Sequence, residues 1–378
     1  MKLGVSLLSL RPGRVGGVET YVRRLLEELP RAADAGDRLA VVIDRDLAAE
    51  LATPGFERVV VPRSSGEVVL ERVLEAFTPY RARALERAFA ELRADVVLYP
   101  QQSIFPRQAP GRAVVTAVDV QHLFLPENFG LFDRSFRAAV YPRSAARAAR
   151  VLAISEFTRR TLVERAGLAP EKVIAVPFGH APRAGAGEVA PTDRVPPPYL
   201  YYPAATFPHK NHAALIRSYA ALRRRGDVAA RLVFTGMRTA LWKRLARLAA
   251  RLGVGSDVVH LGYLPYPELR RVFAGAEAIV FPTRFEGFGL PVLEAVEFGK
   301  KVVTSRLEVF DEIGVPAEWQ VDFDDPDALL AALRQPGPTV LARQPWSWAA
   351  CARRTLDILR EVAAEEGEGR PASGMVAG

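Results

Sequence analysis

Two kinds of pattern alternate along the chain. Short runs of aliphatic and β-branched residues are followed by stretches in which apolar residues return every three or four positions. LGVSLLSL (3–10), LAVVID (39–44), RVVVP (58–62), DVVLYP (95–100), AVVTAVD (113–119), VLAIS (151–155) and KVIAVP (172–177) read as strands. Their nearly unbroken apolar character is that of strands covered on both faces. VETYVRRLLEEL (18–29) and RARALERAFAEL (81–92) carry helical periodicity between them. A second series of strands follows: YLYYPA (199–204), RLVFTG (231–236), VVHLGYL (258–264), AIVFPT (278–283) and KVVTS (301–305). Its helical stretches include HAALIRSYAALRRR (212–225), TALWKRLARLAARLG (239–253) and PVLEAVEFG (291–299), with a closing helix at about 347–365.

Strands alternating with helices predict βαβ units and parallel sheets. The chain has 378 residues, too many for one ordinary core. APRAGAGEVAPTDRVPPP (181–198) is rich in Pro, Gly and Ala and lacks periodicity, so it reads as an interdomain linker. The predicted fold class is therefore α/β, with two Rossmann-like doubly wound domains facing a cleft. The first spans 1–182 and is joined by the closing helix. The linker is 183–198 and the second domain 199–346. The tail EGEGRPASGMVAG (366–378) has a disordered composition. In such sheets ligands bind beyond the carboxyl ends of the strands.

Composition narrows the class. Hydrophobic residues make up 49% and charged residues 25%, a globular balance, and no apolar run is long enough for a transmembrane helix. The opening MKLGVSLLSLRPG reads as a first strand rather than a signal peptide, because its apolar run stops at Arg11-Pro12. A single cysteine, Cys351, excludes an intrachain disulfide and a Cys-based metal cluster, and fits a reducing cytoplasm. The histidines are His122, His180, His209, His212 and His260, with no HExxH pair. The net charge of +8 favours anionic partners: nucleotides or an anionic lipid surface. No nucleic-acid-binding signature accompanies it, so nucleic acid is not an expected partner.

The most informative stretch is RFEGFGLPVLEA (284–295). It leaves a buried strand, turns through Gly287 and Gly289, and enters a helix with Pro291 in its first turn. The helix start, with its free N–H groups and macrodipole, suits a phosphate. Glu294, expected in that first turn, has two acceptor oxygens suited to a ribose diol. Glu286, before the turn, would lie near whatever hangs from the far phosphate. A plain acidic helix start and a Gly-rich turn remain the bland alternative. Asp44-Arg45-Asp46 is formally a DxD, but without the rest of a metal-dependent transferase it reads as a solvated loop.

GYLPYPELRRVFAGAEAIVFPTRFEGFGLPVLEAVEFGKKVVTS (262–305) resembles the C-terminal domain of glycosyltransferase family 4, whose fold is GT-B. GGVETYVRRL (16–25), DVQHLFLPENF (119–129), VLAISEFTRRTL (151–162) and PHKNHAALIRSY (208–219) are similar to further segments of that family. The resemblance implies a donor site built from Gly16, Gly17, Lys210, Tyr263, Leu264, Glu286, Gly287, Phe288, Gly289, Leu290 and Glu294. Lys210 would contact the diphosphate, His122 the transferred sugar, and Glu286 the sugar as well. These three are the catalytic candidates, with Asp119 available to orient His122. Backbone groups around Gly262-Tyr263-Leu264 would meet the nucleobase. One departure stands out. The family's second arginine, six residues before the lysine, is Ala204 here. His209, His212 or Arg14 could supply its charge.

The resemblance implies transfer of a sugar with retention of anomeric configuration, without a metal or other cofactor beyond the nucleotide-sugar itself. The DVQH and PHKNH segments favour GDP-mannose as donor. The acceptor would be a glycan or lipid-linked glycan, as in polysaccharide biosynthesis. Arg134, Arg137, Arg143, Arg147 and Arg150 form a basic stretch on the acceptor side. They could hold the protein at the inner membrane face, or simply make a solvated helix face. A nicotinamide dehydrogenase is disfavoured, because GRVGGVE lacks the dinucleotide fingerprint. A sugar-nucleotide epimerase of the same fold, or a catalytically impaired nucleotide-sugar-binding protein, remain the alternatives.

Overall fold

All the apolar runs read as strands enter one of two parallel sheets. The computed structural model describes residues 1–12, 17–118, 120–180, 189–343 and 346–365. The chain divides into two compact units, Met1–Gly179 with Trp346–Gly378, and His180–Pro345.

The first unit contains β1 (Lys2–Ser6), β2 (Arg38–Asp44), β3 (Glu57–Val61), β4 (Val96–Tyr99), β5 (Arg112–Ala117), β6 (Arg150–Ala153) and β7 (Val173–Ala175). Their order is β3-β2-β1-β4-β5-β6-β7, and the pairings are parallel. Between them run α1 (Gly17–Ala32), α2 (Arg45–Glu50), α3 (Ser65–Phe77), α4 (Arg83–Leu92), α5 (Leu131–Arg147) and α6 (Glu156–Glu164). The second unit contains β8 (Tyr199–Pro203), β9 (Arg231–Thr235), β10 (Val258–His260), β11 (Ala278–Phe281), β12 (Lys301–Ser305) and β13 (Gln320–Val321). Its order is β10-β9-β8-β11-β12-β13, again parallel. Its helices are α7 (His212–Arg225), α8 (Trp242–Arg251), α9 (Tyr266–Gly275), α10 (Leu290–Glu297), α11 (Glu308–Glu312) and α12 (Pro326–Arg334).

Each order reverses once. In the first unit the switch falls between β1 and β4, in the second between β8 and β11. The loops leaving two such strands diverge and leave a crevice there. Central strands are sealed on both faces: Val41, Val42, Leu98, Tyr201, Ile279 and Val280 are inaccessible to solvent.

Several boundaries differ from the sequence pattern for local reasons. The first run stops as a strand at Ser6, although the Leu7 N–H still reaches the Val42 carbonyl at 2.9 Å. The run 258–264 ends at His260, because Gly262 turns at a φ of +81° and donates its N–H to His260 Nδ1 at 2.9 Å. Asp44 and Asp46 are not a solvated loop. Asp44 is fully buried and caps α2, accepting from Leu47 N–H and Ser65 Oγ, each at 2.9 Å. Asp46 accepts from the Ser65 N–H at 2.9 Å. A cap was the better reading of an Asp that ends a strand and starts a helix.

Of the segment read as a linker, residues 189–198 are described, and they lie on α9. Thr192 Oγ1 donates to Glu268 at 2.7 Å, and Thr192 and Val195 are buried. The tail 366–378 lies outside the described residues.

After the second unit the chain returns as α13 (Trp348–Ala364), which belongs to the first. Ser347 caps it by accepting from Ala350 N–H at 3.0 Å. Cys351, Ala352, Leu356, Ile358, Leu359 and Val362 face inward, and the helix packs along α1. Phe178 joins the two helices, stacking on Tyr21 at 4.6 Å and lying tilted against Trp348 at 5.9 Å. Gly179 is needed beside this contact, since a Cβ there would lie 2.3 Å from the Trp348 Cα. Replacing Gly179 by Ala should therefore lower the thermal midpoint of the first unit, at a cost of about 1–3 kcal/mol from overpacking. Gly36→Ala is the control, because nothing lies within 4 Å of its added Cβ. Equal midpoints for the two variants would contradict this packing.

Candidate functional site

The switch point of the second unit brings Lys210 to Glu286 and to the glycine turn that enters α10. β8 ends at Pro203, and its loop makes a tight turn over Pro208–Lys210 before α7 begins. β11 ends at Phe281, and its loop runs through Thr283–Gly289 into α10. Lys210 Nζ donates to Glu286 Oε1 at 2.5 Å, with both side chains mostly buried. Three further hydrogen bonds fix the two loops. The Arg284 N–H donates to the His209 carbonyl at 2.7 Å. Tyr202 OH donates to the Lys210 carbonyl at 3.0 Å. Thr283 Oγ1 donates to the Phe285 carbonyl at 2.9 Å. Tyr202 and Thr283 were not read from sequence, although a Tyr inside an apolar strand must find a partner for its hydroxyl.

Gly289 caps α10 in the left-handed region, at a φ of +108°, under the ring of Phe310. Leu290 is the first helical residue and Pro291 the second, so Pro291 costs no intrahelical bond. The N-terminal N–H groups of a helix point beyond its end. Glu286, Gly287, Leu290 and Pro291 are half-buried around this tip, whereas Phe288 is buried. Glu294 is not in the first turn, which holds no acidic residue. It is the fifth residue of α10, because the left-handed Gly289 starts the helix at Leu290. Helical side chains lean toward the N-terminus, so its carboxylate still leans toward the tip. Burial holds the Tyr201 hydroxyl in its neutral form, and the nearby Glu294 carboxylate adds to that effect.

Neither histidine beside Lys210 can stand in for the arginine absent at Ala204. His209 stacks on Phe207 at 6.0 Å, and burial, with Lys210 next, pushes its pKa down to about 3. His212 does not cap α7. Asn211 holds the cap position, and the His212 ring lies between Tyr202 at 4.7 Å and Phe234 at 5.0 Å. Burial first, then His260, pushes it down to about 3, and neither ring nitrogen meets a partner in good hydrogen-bond geometry. His260, edge-on to Trp242 at 4.6 Å, is pushed down to about 4 by burial and Arg238. Arg14 lies outside the described residues.

The base-side candidates differ in exposure. Tyr263 is 72% exposed, while Leu264 is buried. In the first unit, Gly17 opens α1 and is exposed, while Gly16 and Asp119 lie outside the described residues. His122 sits in a short turn after β5, edge-on to Tyr141 at 5.4 Å. Burial, then Arg137, lowers its pKa to about 4, and its Nδ1 has no hydrogen-bond partner. Burial thus favours the neutral imidazole, and Nδ1 itself is closed off from solvent.

The basic stretch is largely engaged with its own neighbours. Arg137 lies over the rings of Phe129 and Tyr141, at 4.4 and 5.4 Å. Arg147 donates to the carbonyls of Arg107 and Ala109, and Arg150 pairs with Glu365. Arg134 stays exposed, beside Leu131 and Phe132, which are 82% and 58% exposed. No helix among the described residues is long and apolar enough to cross a membrane. No group of three or more His, Cys, Asp or Glu side chains that could hold a metal ion occurs among them.

Comparison with known proteins agrees with this arrangement. A family profile described as Glycosyltransferase Family 4 matches residues 15–183, and one described as Glycosyl transferases group 1 matches residues 191–335. The chain is 26% identical over 235 residues to the O-antigen chain mannosyltransferase B of Escherichia coli, covering 59% of this chain and 61% of that protein. It is 23% identical over 220 residues to the O-antigen chain mannosyltransferase RfbU of Salmonella typhimurium, covering 58% and 59%. The match thus spans about three-fifths of the length of these relatives. The solved sucrose-phosphate synthase of Thermosynechococcus elongatus superimposes with a TM-score of 0.66 at 15% identity, over 97% of this chain and 98% of that one.

The caged histidines have a consequence for stability. Unfolded histidine titrates near pH 6.5, and these three only well below it when folded, so acid favours the unfolded chain. Stability should be fully present above about pH 6.5 and fall as pH drops toward 4. His212→Leu should flatten that decline by up to about 1.4 kcal/mol per pH unit, read from Trp242 fluorescence during denaturant unfolding. An unchanged slope would show that His212 is not held neutral.

Proposed function

Because the chain belongs to glycosyltransferase family 4 and has its GT-B fold, we propose that it is a retaining glycosyltransferase. In this reading it moves a hexose, with mannose from GDP-mannose favoured, to a glycan or lipid-linked acceptor. The observation that carries the proposal is the Lys210–Glu286 pair beside the tip of α10, at the switch point where a doubly wound sheet takes its ligand. The mannosyltransferase names of the two relatives support the choice of sugar.

The diphosphate lies against the α10 tip, where N–H donors and the macrodipole favour negative charge. Lys210 turns from Glu286 to the leaving oxygen, and Glu294 receives the ribose hydroxyls. Glu286, relieved of its cation, accepts from hydroxyls of the transferred sugar. The C1–O bond to the β-phosphate breaks through an oxocarbenium-like transition state, and its electron pair stays on the phosphate. The acceptor oxygen bonds to C1 on the face just vacated, which retains configuration. Its proton passes to the departing phosphate oxygen, so no side chain is required as base. Lys210 and the helix tip stabilise the charge that grows on that oxygen.

On the acceptor side, Leu131 and Phe132 present apolar surface next to Arg134, a combination that suits a lipid surface. Anionic vesicles should pellet the protein, and the double variant Leu131→Glu, Phe132→Glu should stay in the supernatant. Equal partitioning of the two proteins would remove the membrane from the proposal.

The central test follows slow donor hydrolysis with GDP-mannose, UDP-glucose and UDP-N-acetylglucosamine. Free sugar and nucleoside diphosphate should appear, whereas an epimerase would return an altered nucleotide-sugar and a binding protein would release nothing. Lys210→Ala should cut turnover by about 100- to 1,000-fold, the usual loss for one preorganised donor. Glu294→Gln should weaken donor binding. Wild-type turnover in both variants would sink this site.

A further inference from the structure

Three loops close one flank of the second unit's switch point, and they carry Arg238 as well as Lys210. They leave β8, β9 and β10. The Thr206 N–H donates to the Met237 carbonyl at 3.1 Å, and the Gly236 N–H to the Gly262 carbonyl at 2.9 Å. The Thr239 N–H donates to Thr206 Oγ1 at 2.8 Å. Gly236, at a φ of +105°, lies so close to the Ala204–Ala205 backbone that a Cβ would come within 2.7 Å of Ala205 N. The wall they make is a fixed surface rather than three separate loops. Its solvent side carries Arg238, Met237 and Tyr263, all exposed.

Arg238 does not replace the arginine missing at Ala204. Its guanidinium turns toward β10, where Nη2 donates to the His260 carbonyl. In the sheet β10 lies on the opposite side of β9 from β8, so that direction leads away from β8, toward the strand whose loop carries Tyr263. With one corner of the fork anchored on a backbone carbonyl, the remaining N–H groups keep a set orientation. They form a planar donor edge on a loop that the Gly236–Gly262 hydrogen bond joins to the loop of the exposed Tyr263.

We propose that Arg238 is a specificity-determining residue that reads the nucleobase and selects guanine, with Tyr263 covering the base face. This rests on the nucleotide-sugar reading above. Guanine presents two adjacent acceptors, O6 and N7, which match two parallel donors of an arginine. Adenine sets a donor amino group beside N7, and the corresponding edge of uracil offers one carbonyl. An arginine fork therefore separates the bases, whereas a point charge would not.

Isothermal titration of the full chain with GDP, UDP and ADP tests this. Wild type should bind GDP more tightly than UDP or ADP. Arg238→Ala should weaken GDP by about 5- to 150-fold, the worth of one bidentate base contact, and leave UDP within twofold. Arg238→Lys should resemble Arg238→Ala, because lysine keeps the charge without the fork. Lys210→Ala should weaken all three nucleotides together. Equal wild-type affinity for GDP and UDP, or a uniform loss in Arg238→Ala, overturns the role of Arg238 while leaving the donor site standing. Absence of binding by any nucleoside diphosphate overturns both.

Discussion

The second unit depends on one exchangeable charge contact. Lys210 and Glu286 are 76 residues apart, yet their side chains meet because β8 and β11 are neighbours across the reversal of the sheet. The pair is largely withdrawn from water, so neither charge could remain there alone without a substantial penalty. In the proposed reaction, an arriving diphosphate would bring a second anion to the same cation. The carboxylate would then release it and become an acceptor for hydroxyl groups. The tether from Arg284 to the His209 carbonyl, and that from Tyr202 to the Lys210 carbonyl, do not involve the charges. The loops can hold their positions while the ion pair changes partners, which is what electrostatic preorganisation requires.

Charge near this contact is kept sparse by the surrounding packing. His209, His212 and His260 are neutral through burial, and the latter two fill an aromatic cage of Tyr202, Phe234 and Trp242. Imidazole serves here as a flat ring that fits between others. Positive charge is left to lysine and arginine, whose protonation does not vary near neutral pH. The same division holds in the first unit, where His122 is neutral and the arginines around it are occupied with rings and carbonyls.

What could be read in advance followed from periodicity and from short-range chemistry. Parallel strands covered on both faces leave uninterrupted apolar runs, so twelve of them were visible in the pattern. β13 was not, because Gln320–Val321 is too short to form a run. The Gly-Pro turn between two glutamates was legible as a helix entrance, but its exact start was not. A backbone choice at Gly289 moved Glu294 from the first turn into the second. Asp44 looked solvated since a DxD triplet carries no sign of burial; its cap bond to Leu47 depends on where the strand stops. Contacts between distant loops, such as that of Lys210 with Glu286, follow from strand order, which local sequence does not encode. The basic stretch was legible only in part, for a related reason. Five arginines count equally in a sequence, whereas once folded Arg137, Arg147 and Arg150 find rings, carbonyls and a glutamate, and Arg134 stays exposed.

The return of α13 to the first unit sets an order on synthesis. The chain from His180 to Pro345 is contiguous and can complete its own core as soon as it leaves the ribosome. The earlier-made segment must wait. Its helix α1 keeps an uncovered apolar flank until Cys351, Leu356 and Leu359, later in the chain, have been made. What is translated first is thus sealed last, and for that interval the nascent protein carries one finished half and one sticky one.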